Sequence, residues 1–172
     1  MRIITLNANG IRAAARKGFY QWLPRQKADV VCIQETKAQV HQLEDPCFFP
    51  RRWHVFYEDA QRRGYSGTAL YSRREPDEVI RGFGVPEFDD EGRYLEARFG
   101  RLSVISLYAP SGSSNEDRLA SKFRFMNAFM PYLKSLRAAD RDYLICGDWN
   151  IAHKQICLLY TSPSPRDLNP NL

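Results

Sequence analysis

The sequence predicts a layered α/β fold, with sheets in the interior and helices on the outside. Two observations support this prediction. Seven short segments rich in branched and aromatic residues are separated by Gly, Pro and Asp, which is typical of strands joined by turns. One longer segment carries apolar residues at the three-and-four spacing of an amphipathic helix. Strands with helices inserted between them favour packing in layers.

The predicted strands are short, and each is bounded by turn-forming residues. β-Branched and aromatic side chains suit a pleated, half-buried surface, so these segments are better strands than helices. The predicted strands are residues 2–6, 29–34, 53–58, 68–72, 94–99, 102–108 and 143–146.

The main predicted helix covers residues 119–136, and we expect its apolar face to pack on a sheet. That face consists of Leu119, Phe123, Met126, Met130 and Leu133. Pro131 lacks an N–H and clashes with the preceding turn, so it is expected to kink the helix or to begin a second one. A weaker helical pattern covers residues 18–23.

Composition places the chain among ordinary globular domains, because 44% of its 172 residues are hydrophobic and 26% are charged. The apolar runs are far shorter than the ~20 residues of a membrane span. The first residues run directly into a strand pattern and lack the features of a secretory signal. These observations predict a cytoplasmic protein without a membrane partner.

Charge and cysteine content are weaker indications of the binding partner and of disulfide or metal sites. The formal net charge is +5, and adjacent basic pairs suggest a polyanionic partner, although they also suit solvated loops. The four cysteines show no metal-ligand spacing and are expected to be unpaired thiols.

The composition changes near residue 156. Residues 157–172 hold three of the ten prolines and have no helix or strand period. We therefore expect one domain over residues 1–156, followed by an unrelated tail that is disordered or artefactual.

Polar side chains follow four predicted strands at the point where each strand ends. Asn7, Glu35, Tyr108 and Asp148 occupy these positions, and Asn150 comes two residues after Asp148. Ligand sites gather at the carboxyl ends of strands, and Mg²⁺ typically takes one or two protein carboxylates. Asp148 could alternatively accept a proton from an attacking water, with Asn150 orienting it. Taken singly, these residues also suit turns and helix starts.

Five motifs together resemble exonuclease III and related apurinic/apyrimidinic endonucleases, and they occur in the order typical of that family. The motifs are Asn7-x-Asn9-Gly10-Ile11-Arg12, Gln34-Glu35-Thr36-Lys37, Gly64-Tyr65-Ser66-Gly67-Thr68, Tyr108-Ala109-Pro110 and Gly147-Asp148-Trp149-Asn150-Ile151-Ala152-His153. The resemblance implies a four-layered α/β sandwich, two packed sheets flanked by helices, which is incomplete in this chain.

The resemblance also implies roles for the site residues. Glu35 would be a magnesium ligand, and Asn7 would help to hold the metal-site network. Asp148 would activate water or share in metal binding, and Asn150 would orient Asp148 and the scissile phosphate. Tyr108 would bond a phosphate oxygen. These implied roles place Asn7, Tyr108, Asp148 and Asn150 among the catalytic residues, with Asn7, Glu35, Asp148 and Asn150 at the metal.

A second implied region lies along the DNA backbone, where phosphate contacts position a duplex without reading its sequence. Its residues are Arg12, Tyr65, Ser66, Gly67 and Arg73, with Arg73 expected near the loop formed by residues 64–68.

The implied activity is that of a Mg²⁺-dependent repair nuclease, with Mn²⁺ as a substitute. Its substrates would be double-stranded DNA with abasic sites or 3′ ends. The reactions would be incision 5′ to an abasic site and removal of nucleotides from a 3′ end, by a monomeric chain.

The sequence departs from the family pattern beyond residue 156, where the family's catalytic Asp and Asp-His pair have no counterpart. His41, His54 and His153 match none of that terminal motif and are expected to be surface or packing residues. We expect the chain as it stands to have reduced stability and activity. Two alternatives remain: a catalytically inactive nucleic-acid-binding fragment, and a phosphodiesterase acting on a lipid or inositol phosphate.

Overall fold

The structure is a computed structural model that describes residues 1–112 and 116–151. Eight strands are present in these ranges: β1 Ile3–Asn7, β2 Val30–Gln34, β3 His54–Glu58, β4 Thr68–Ser72, β5 Glu78–Arg81, β6 Tyr94–Phe99, β7 Leu102–Tyr108 and β8 Asp142–Asp148. The α-helices are α1 Ile11–Arg16, α2 Phe19–Trp22, α3 Pro86–Asp89 and α4 Glu116–Ala138. Short 3₁₀ helices cover Leu23–Gln26, Val40–Gln42 and Pro46–Phe48.

The strands form two mixed four-stranded sheets. The first sheet has the order β1-β2-β4-β3, with β1 parallel to β2 and the other pairs antiparallel. The second has the order β5-β6-β7-β8, with β7 parallel to β8 and the other pairs antiparallel. Each sheet therefore has one parallel pair, and both pairs end in the polar side chains noted above.

The two sheets pack face to face. Val30, Cys32 and Leu70 of the first sheet belong to the same buried cluster as Leu95 and Val104 of the second. Removing a large apolar side chain from water stabilises the fold by about 1.5–3 kcal/mol, so this shared layer holds the sheets together.

Helices cover the outer faces. Ile11 of α1 and Phe19 of α2 pack with Val31 and Tyr71 on the first sheet. Phe125 and Phe129 of α4 lie in the cluster that includes Ile105 and Leu107 of β7. The predicted arrangement of two packed sheets flanked by helices is confirmed.

All seven predicted strands are confirmed, with shifts of a few residues at most, but β5 was missed. This strand, Glu78–Arg81, has charged residues at both ends and only two apolar residues, Val79 and Ile80. It pairs with β6 alone, at the edge of the sheet. An edge strand with so short an apolar core has little local signal, and its pairing partner determines it.

Helix α4 is confirmed, but its predicted packing face is confirmed only in part, because Met126 and Leu133 pack on the buried cluster of the second sheet and the other three residues of that face are exposed. Phe125 and Phe129 are fully buried, whereas Phe123 is 61% exposed and Met130 and Leu119 are each 44% exposed. Apolar residues form two neighbouring stripes along this helix, so spacing alone did not identify the one that faces the sheet.

Pro131 lies inside α4, so the prediction of a second helix is wrong. Its side chain is exposed. The carbonyl left without its helical N–H can therefore bond to water, which reduces the cost of an interior proline.

The weaker helical pattern at residues 18–23 corresponds to α2, followed by the 3₁₀ helix that contains Pro24. None of the helices in the described ranges is long and apolar enough to cross a membrane. Ala152, His153 and the predicted tail over residues 157–172 lie outside the described residues.

Candidate active site

Four polar strand ends meet at one edge of the paired sheets. In the parallel pair β1/β2, Asn7 is the register partner of Gln34, and Glu35 follows directly. In the parallel pair β7/β8, Tyr108 is the register partner of Asp148. Parallel strands end on the same side of a sheet, and this edge therefore brings together the side chains predicted to converge.

Asn7 bridges the two sheets at this edge. Its Nδ2 donates to Glu35 Oε1 and to Asp148 Oδ2, each at 2.8 Å. Its Oδ1 accepts from the backbone N–H of Asn9 at 2.9 Å. Because both carboxylate oxygens bond to one nitrogen, they can be no further apart than twice that distance.

Glu35 is kept ionised by its neighbours. Burial raises the pKa of its carboxyl, but hydrogen bonds from Lys37, Asn7 and Tyr108 outweigh burial, so the pKa lies below its ordinary value. Lys37 Nζ lies 2.6 Å from Glu35 Oε2 and donates to Asn9 Oδ1 at 2.7 Å. A negative charge is therefore held at the site at neutral pH.

Asn150 holds Asp148 through its backbone. The Asn150 N–H donates to Asp148 Oδ1 at 3.0 Å, whereas the side-chain amide donates to the carbonyl of Ala109 at 2.8 Å. Lys122 Nζ donates to the Asn150 carbonyl at 2.5 Å. The Asn150 group that can orient Asp148 is thus its backbone N–H, whereas its side chain anchors the loop to the residue that follows β7.

Tyr108 presents a hydroxyl that stays protonated. Burial and the negative charge of Glu35 both raise its pKa above the ordinary value for tyrosine. The Arg93 guanidinium lies over its ring, 5.1 Å from the centroid. A neutral hydroxyl here can donate a hydrogen bond to an oxyanion.

A cleft of about 240 Å³ opens beside these residues. Cationic and hydroxyl side chains contribute most of its lining, including Lys37, Tyr65, Ser66, Arg93, Tyr108 and Arg118. Ser66 is 1% exposed, and its Oγ has no hydrogen-bond partner within the described part of the chain. A buried hydroxyl without a partner is costly, so Ser66 is a second feature at this edge, beside its positive φ, that the surrounding structure must stabilise.

Arg93 is the residue that sequence reasoning missed. It is only 2% exposed and donates to Glu91 Oε2 at 2.5 Å, to the Tyr108 carbonyl at 3.1 Å and to the Tyr65 hydroxyl at 2.9 Å. Its one sequence signal was its position directly before the predicted strand 94–99, which the structure shows to be almost entirely buried. Buried arginines are rare unless paired, which makes such a position informative.

The predicted DNA-contacting residues divide into two groups. Tyr65 and Ser66 line the cleft, and Gly67 accepts from the Thr36 N–H at 3.0 Å. Arg12 is exposed in the first turn of α1. That turn is joined to the Glu35 loop by hydrogen bonds from its backbone N–H groups.

The expected position of Arg73 is corrected. In the antiparallel pair β2/β4, Thr68 lies beside Gln34 and Ser72 lies beside Val30, so Arg73 follows the opposite end of the strand. Its guanidinium stacks on Trp53, 4.0 Å from the ring centroid. Arg73 was expected near the loop because the two are close in sequence. Strand β4 separates them in space, since it carries the chain away from the site.

Backbone strain concentrates at this edge. Of the six non-glycine residues with positive φ in the described ranges, five lie at or beside the site: Asn9, Glu35, Lys37, Ser66 and Asn150. Each such conformation costs about 1 kcal/mol or more and persists where surrounding contacts enforce it, commonly at functional sites. Gly67 has φ +83°, and a Cβ there would overlap the Thr36 hydroxyl, so glycine is required.

The donor set suits a hard divalent cation. Glu35 and Asp148 supply two carboxylates, which matches the one or two that Mg²⁺ takes while keeping waters and substrate phosphate. Within residues 1–112 and 116–151, no three His, Cys, Asp or Glu side chains come together as a metal site. His41 and His54 are exposed surface residues, as predicted.

Comparison with known proteins places these features in context. The sequence model of the Endonuclease/Exonuclease/phosphatase family matches residues 4–156. An exodeoxyribonuclease of Bacillus subtilis is 37% identical over 159 residues, covering 92% of this chain and 62% of the relative. The DNA repair nuclease APEX1 of Danio rerio is 33% identical over 160 residues, covering 92% of this chain and 51% of the relative.

Solved structures of similar proteins share this fold. An AP endonuclease from Archaeoglobus fulgidus has a TM-score of 0.75 at 29% identity, covering 96% of this chain and 62% of that structure. The APE2 catalytic domain of Xenopus laevis has a TM-score of 0.78 at 25% identity, covering 98% of this chain and 67% of that structure. The chain thus spans between about half and two thirds of these proteins.

Proposed function

The chain belongs to the Endonuclease/Exonuclease/phosphatase family, and we propose that it carries the metal-binding half of a Mg²⁺-dependent DNA phosphodiesterase of base-excision repair. The proposed reactions are incision at abasic sites and 3′-to-5′ exonucleolytic removal of nucleotides. The observation that carries the proposal is the Asn7 amide, which holds the carboxylates of Glu35 and Asp148 together beside a cationic cleft.

Glu35 and Asp148 would hold the metal ion, with Asn7 fixing the separation of their carboxylates. A bound Mg²⁺, or Mn²⁺ in its place, would polarise a phosphoryl oxygen and offset charge on the leaving oxygen. The lowered pKa of Glu35 keeps its carboxylate free of a proton at neutral pH, as a ligand must be.

The protein's own side chains would supply the remaining chemistry. Asp148 is oriented by the backbone N–H of Asn150 and can accept a proton from water at Oδ1 or Oδ2. The protonated hydroxyl of Tyr108, which bonds to Glu35 in the structure, would leave that carboxylate and donate to a non-bridging phosphate oxygen, where negative charge increases during attack.

The cationic cleft would hold the DNA backbone. Lys37, which is paired with Glu35, and Arg93, which is paired with Glu91, would supply N–H donors along its wall. Contacts of this kind position a strand and carry no sequence information. Arg12, on the exposed first turn of α1, would extend this surface.

The substrate is proposed to be double-stranded DNA with abasic sites or 3′ ends. Both the Bacillus subtilis exodeoxyribonuclease and the Archaeoglobus fulgidus AP endonuclease resemble this chain over more than nine tenths of its length. We further propose that the protein acts as a monomer in the cytoplasm, which size-exclusion chromatography and cell fractionation would check.

The test is cleavage of an end-labelled duplex containing one abasic site by the purified chain, with Mg²⁺, with Mn²⁺ and with chelator. Metal-dependent incision at the abasic site would support the proposal, and equal incision with chelator would contradict it. Binding that weakens steeply with salt, without incision, would identify a nucleic-acid-binding fragment instead. An inositol phosphate and a phospholipid serve as alternative substrates, and hydrolysis of either would favour the lipid or inositol phosphate alternative.

We predict that Glu35→Ala and Asp148→Ala each reduce incision on the order of 100-fold or more, because each removes a carboxylate on which metal binding or proton transfer depends. Asp140→Ala is the matched control, since that carboxylate lies on the surface, 89% exposed, and pairs with Arg101. Steady-state cleavage rates at saturating Mg²⁺ provide the measurement. Wild-type rates in either site variant would contradict the assignment.

A further inference from the structure

Cys32 and Cys146 face each other in the layer between the two sheets. On β2, the side chains of Val30, Cys32 and Gln34 point towards the second sheet, and Cys32 is fully buried. On β8, Cys146 alternates with Tyr143 and Ile145, which pack on the opposite face against α4. Cys146 is partly buried and packs against the same buried cluster that contains Cys32, and strands β2 and β8 are in contact.

Polar contacts around the pair fix the two strands at this level. Ser106 is the β7 register partner of Cys146. Its hydroxyl donates to the Ile33 carbonyl at 3.2 Å and accepts from Gln34 Nε2 at 3.0 Å, and these two residues directly follow Cys32. The Asn7–Asp148 hydrogen bond joins β1 to the end of β8 just above. The strands that carry the thiols therefore cannot drift apart without breaking buried hydrogen bonds.

We propose that Cys32 and Cys146 form a reversible disulfide between the two sheets when the protein meets a peroxide. This modification site lies outside the proposed nuclease chemistry and does not depend on it. The cluster and the hydrogen bonds of Ser106 place Cys32 and Cys146 in the same layer between the sheets, whereas Cys47 lies in the 3₁₀ helix Pro46–Phe48 and packs on the outer face of the first sheet.

The chemistry balances with a peroxide as the oxidant. The sulfur of Cys146, the more accessible of the two, attacks one peroxide oxygen. An S–O bond forms, the O–O bond breaks, and the leaving oxygen takes a proton to become water or an alcohol. The sulfur of Cys32 then attacks the sulfenic sulfur, so that the S–S bond forms and a second water leaves with the thiol proton. The two thiols lose two electrons, and the peroxide is reduced.

Oxidation would link the two halves of the candidate site. Glu35 follows Cys32 by three residues and Asp148 follows Cys146 by two. A disulfide holds its Cα atoms about 5.5–6 Å apart, so it would fix the distance between β2 and β8 below the carboxylates. A dithiol reductant would release this constraint.

Tryptic mapping of the oxidised protein provides a direct test. Trypsin places the four cysteines on four different peptides, residues 28–37, 38–51, 142–154 and 155–166. The native full-length chain is treated with hydrogen peroxide, blocked with an alkylating agent, digested without reductant and examined by mass spectrometry. Thiol titration in denaturant, before and after treatment, counts the remaining free cysteines, including buried Cys32.

We expect peptide 28–37 joined to peptide 142–154, a fall in titratable thiols from four to two, and full recovery with dithiothreitol. Cys47→Ser and Cys157→Ser should leave this cross-link unchanged, and Cys146→Ser should abolish it. Absence of the cross-link in the native wild-type chain would overturn the proposal. So would cross-links of equal yield through Cys47 or Cys157, or irreversible oxidation of Cys146 alone. Because the readout is covalent linkage, failure here and failure of the nuclease proposal are separate results.

Discussion

At the scale of single residues, the site depends on one amide and one ammonium that hold two carboxylates in place. Asn7 donates to both Glu35 and Asp148, and Lys37 pairs with Glu35. Without these partners, burial would favour the neutral carboxyl group of Glu35. The charge at the site is therefore a property of the contacts around Glu35.

The Lys37–Glu35 pair gives a prediction about stability and pH. The pKa of Glu35 is lower in the folded chain than its ordinary value, so the pair stabilises the fold above the unfolded pKa. This contribution is lost as pH falls through the folded pKa. We expect Lys37→Met to reduce the free energy of unfolding by about 1 kcal/mol at pH 7, since Lys37 is partly exposed, and by much less near pH 3.

Urea unfolding at both pH values measures the difference. Lys134→Met, on an exposed part of α4, is the control and should have little effect at either pH. An equal loss at pH 7 and pH 3 for Lys37→Met would contradict a contribution from the Glu35 charge and would point to the hydrogen bond from Lys37 to Asn9, since methionine keeps most of the aliphatic chain.

At the scale of elements, close approach of β7 and β8 positions Tyr108 beside Asp148. Gly147 makes this approach possible, because a Cβ at that position would overlap the carbonyl of Leu107 on the neighbouring strand. The obstacle is backbone and cannot rotate away, so any side chain there must push the strands apart.

We predict that Gly147→Ala destabilises the chain by about 3 kcal/mol, at the upper end of the cost of overpacking a core. Gly112→Ala is the matched control, since among the described residues its Cβ would meet the side chains of Leu119 and Lys122 at 3.1 Å, which can move, and the Leu119 Cα at an ordinary contact distance of 3.8 Å. Thermal unfolding by circular dichroism gives both values. A neutral Gly147→Ala variant would show that β7 and β8 can separate freely.

Helix α4 gives a second prediction at this scale. Phe125 is fully buried and Phe123 is 61% exposed, although they lie two residues apart. Phe125→Ala should cost about 3–5 kcal/mol, because it leaves a cavity against β7. Phe123→Ala should cost less than about 0.5 kcal/mol, as expected for a surface position. Chemical denaturation of the two variants compares them, and equal losses would contradict the assigned packing face.

At the scale of the whole molecule, basic residues occupy both ends of the sheets, but only one end carries the candidate site. Arg62 lies over the Tyr65 ring beside the cleft, 5.2 Å from its centroid. Arg73 lies at the opposite end, stacked on Trp53. The formal net charge of +5 attracts DNA to the whole surface, so affinity alone does not locate the binding face.

The salt dependence of DNA affinity shows which end of the sheets binds DNA. We expect the double variant Arg62→Ala, Arg63→Ala to bind abasic duplex DNA more weakly and to reduce the slope of log affinity against log salt by up to about 2, roughly one per lost phosphate contact. Arg73→Ala should leave both quantities unchanged. Fluorescence anisotropy in chelator, from 50 to 200 mM salt, makes the measurement. A reduced slope for Arg73→Ala would place DNA at the other end.

Local pattern determined much of this fold. Seven strands and helix α4 follow from side-chain spacing and from Gly, Pro and Asp at the turns, because these signals depend on neighbours in the chain. The short strand β5 and the buried face of α4 did not follow, since each is decided by a partner distant in sequence. The sequence around Val79 or Phe125 does not show whether a sheet covers these residues.

The candidate site, like the fold, was predicted in part from local sequence and decided in part by tertiary contacts. The sequence by itself predicted that Asn7, Glu35, Tyr108 and Asp148 come together, because each lies at the end of an apolar strand. Only the tertiary structure decided that the Asn7 amide bonds both to Glu35 and to Asp148, which lies 141 residues away in the chain. It also decided that buried Arg93 borders the cleft and that Arg73 does not. The physical reason is that strand order, register and sheet packing set distances in space, and these depend on pairing partners that local sequence does not contain.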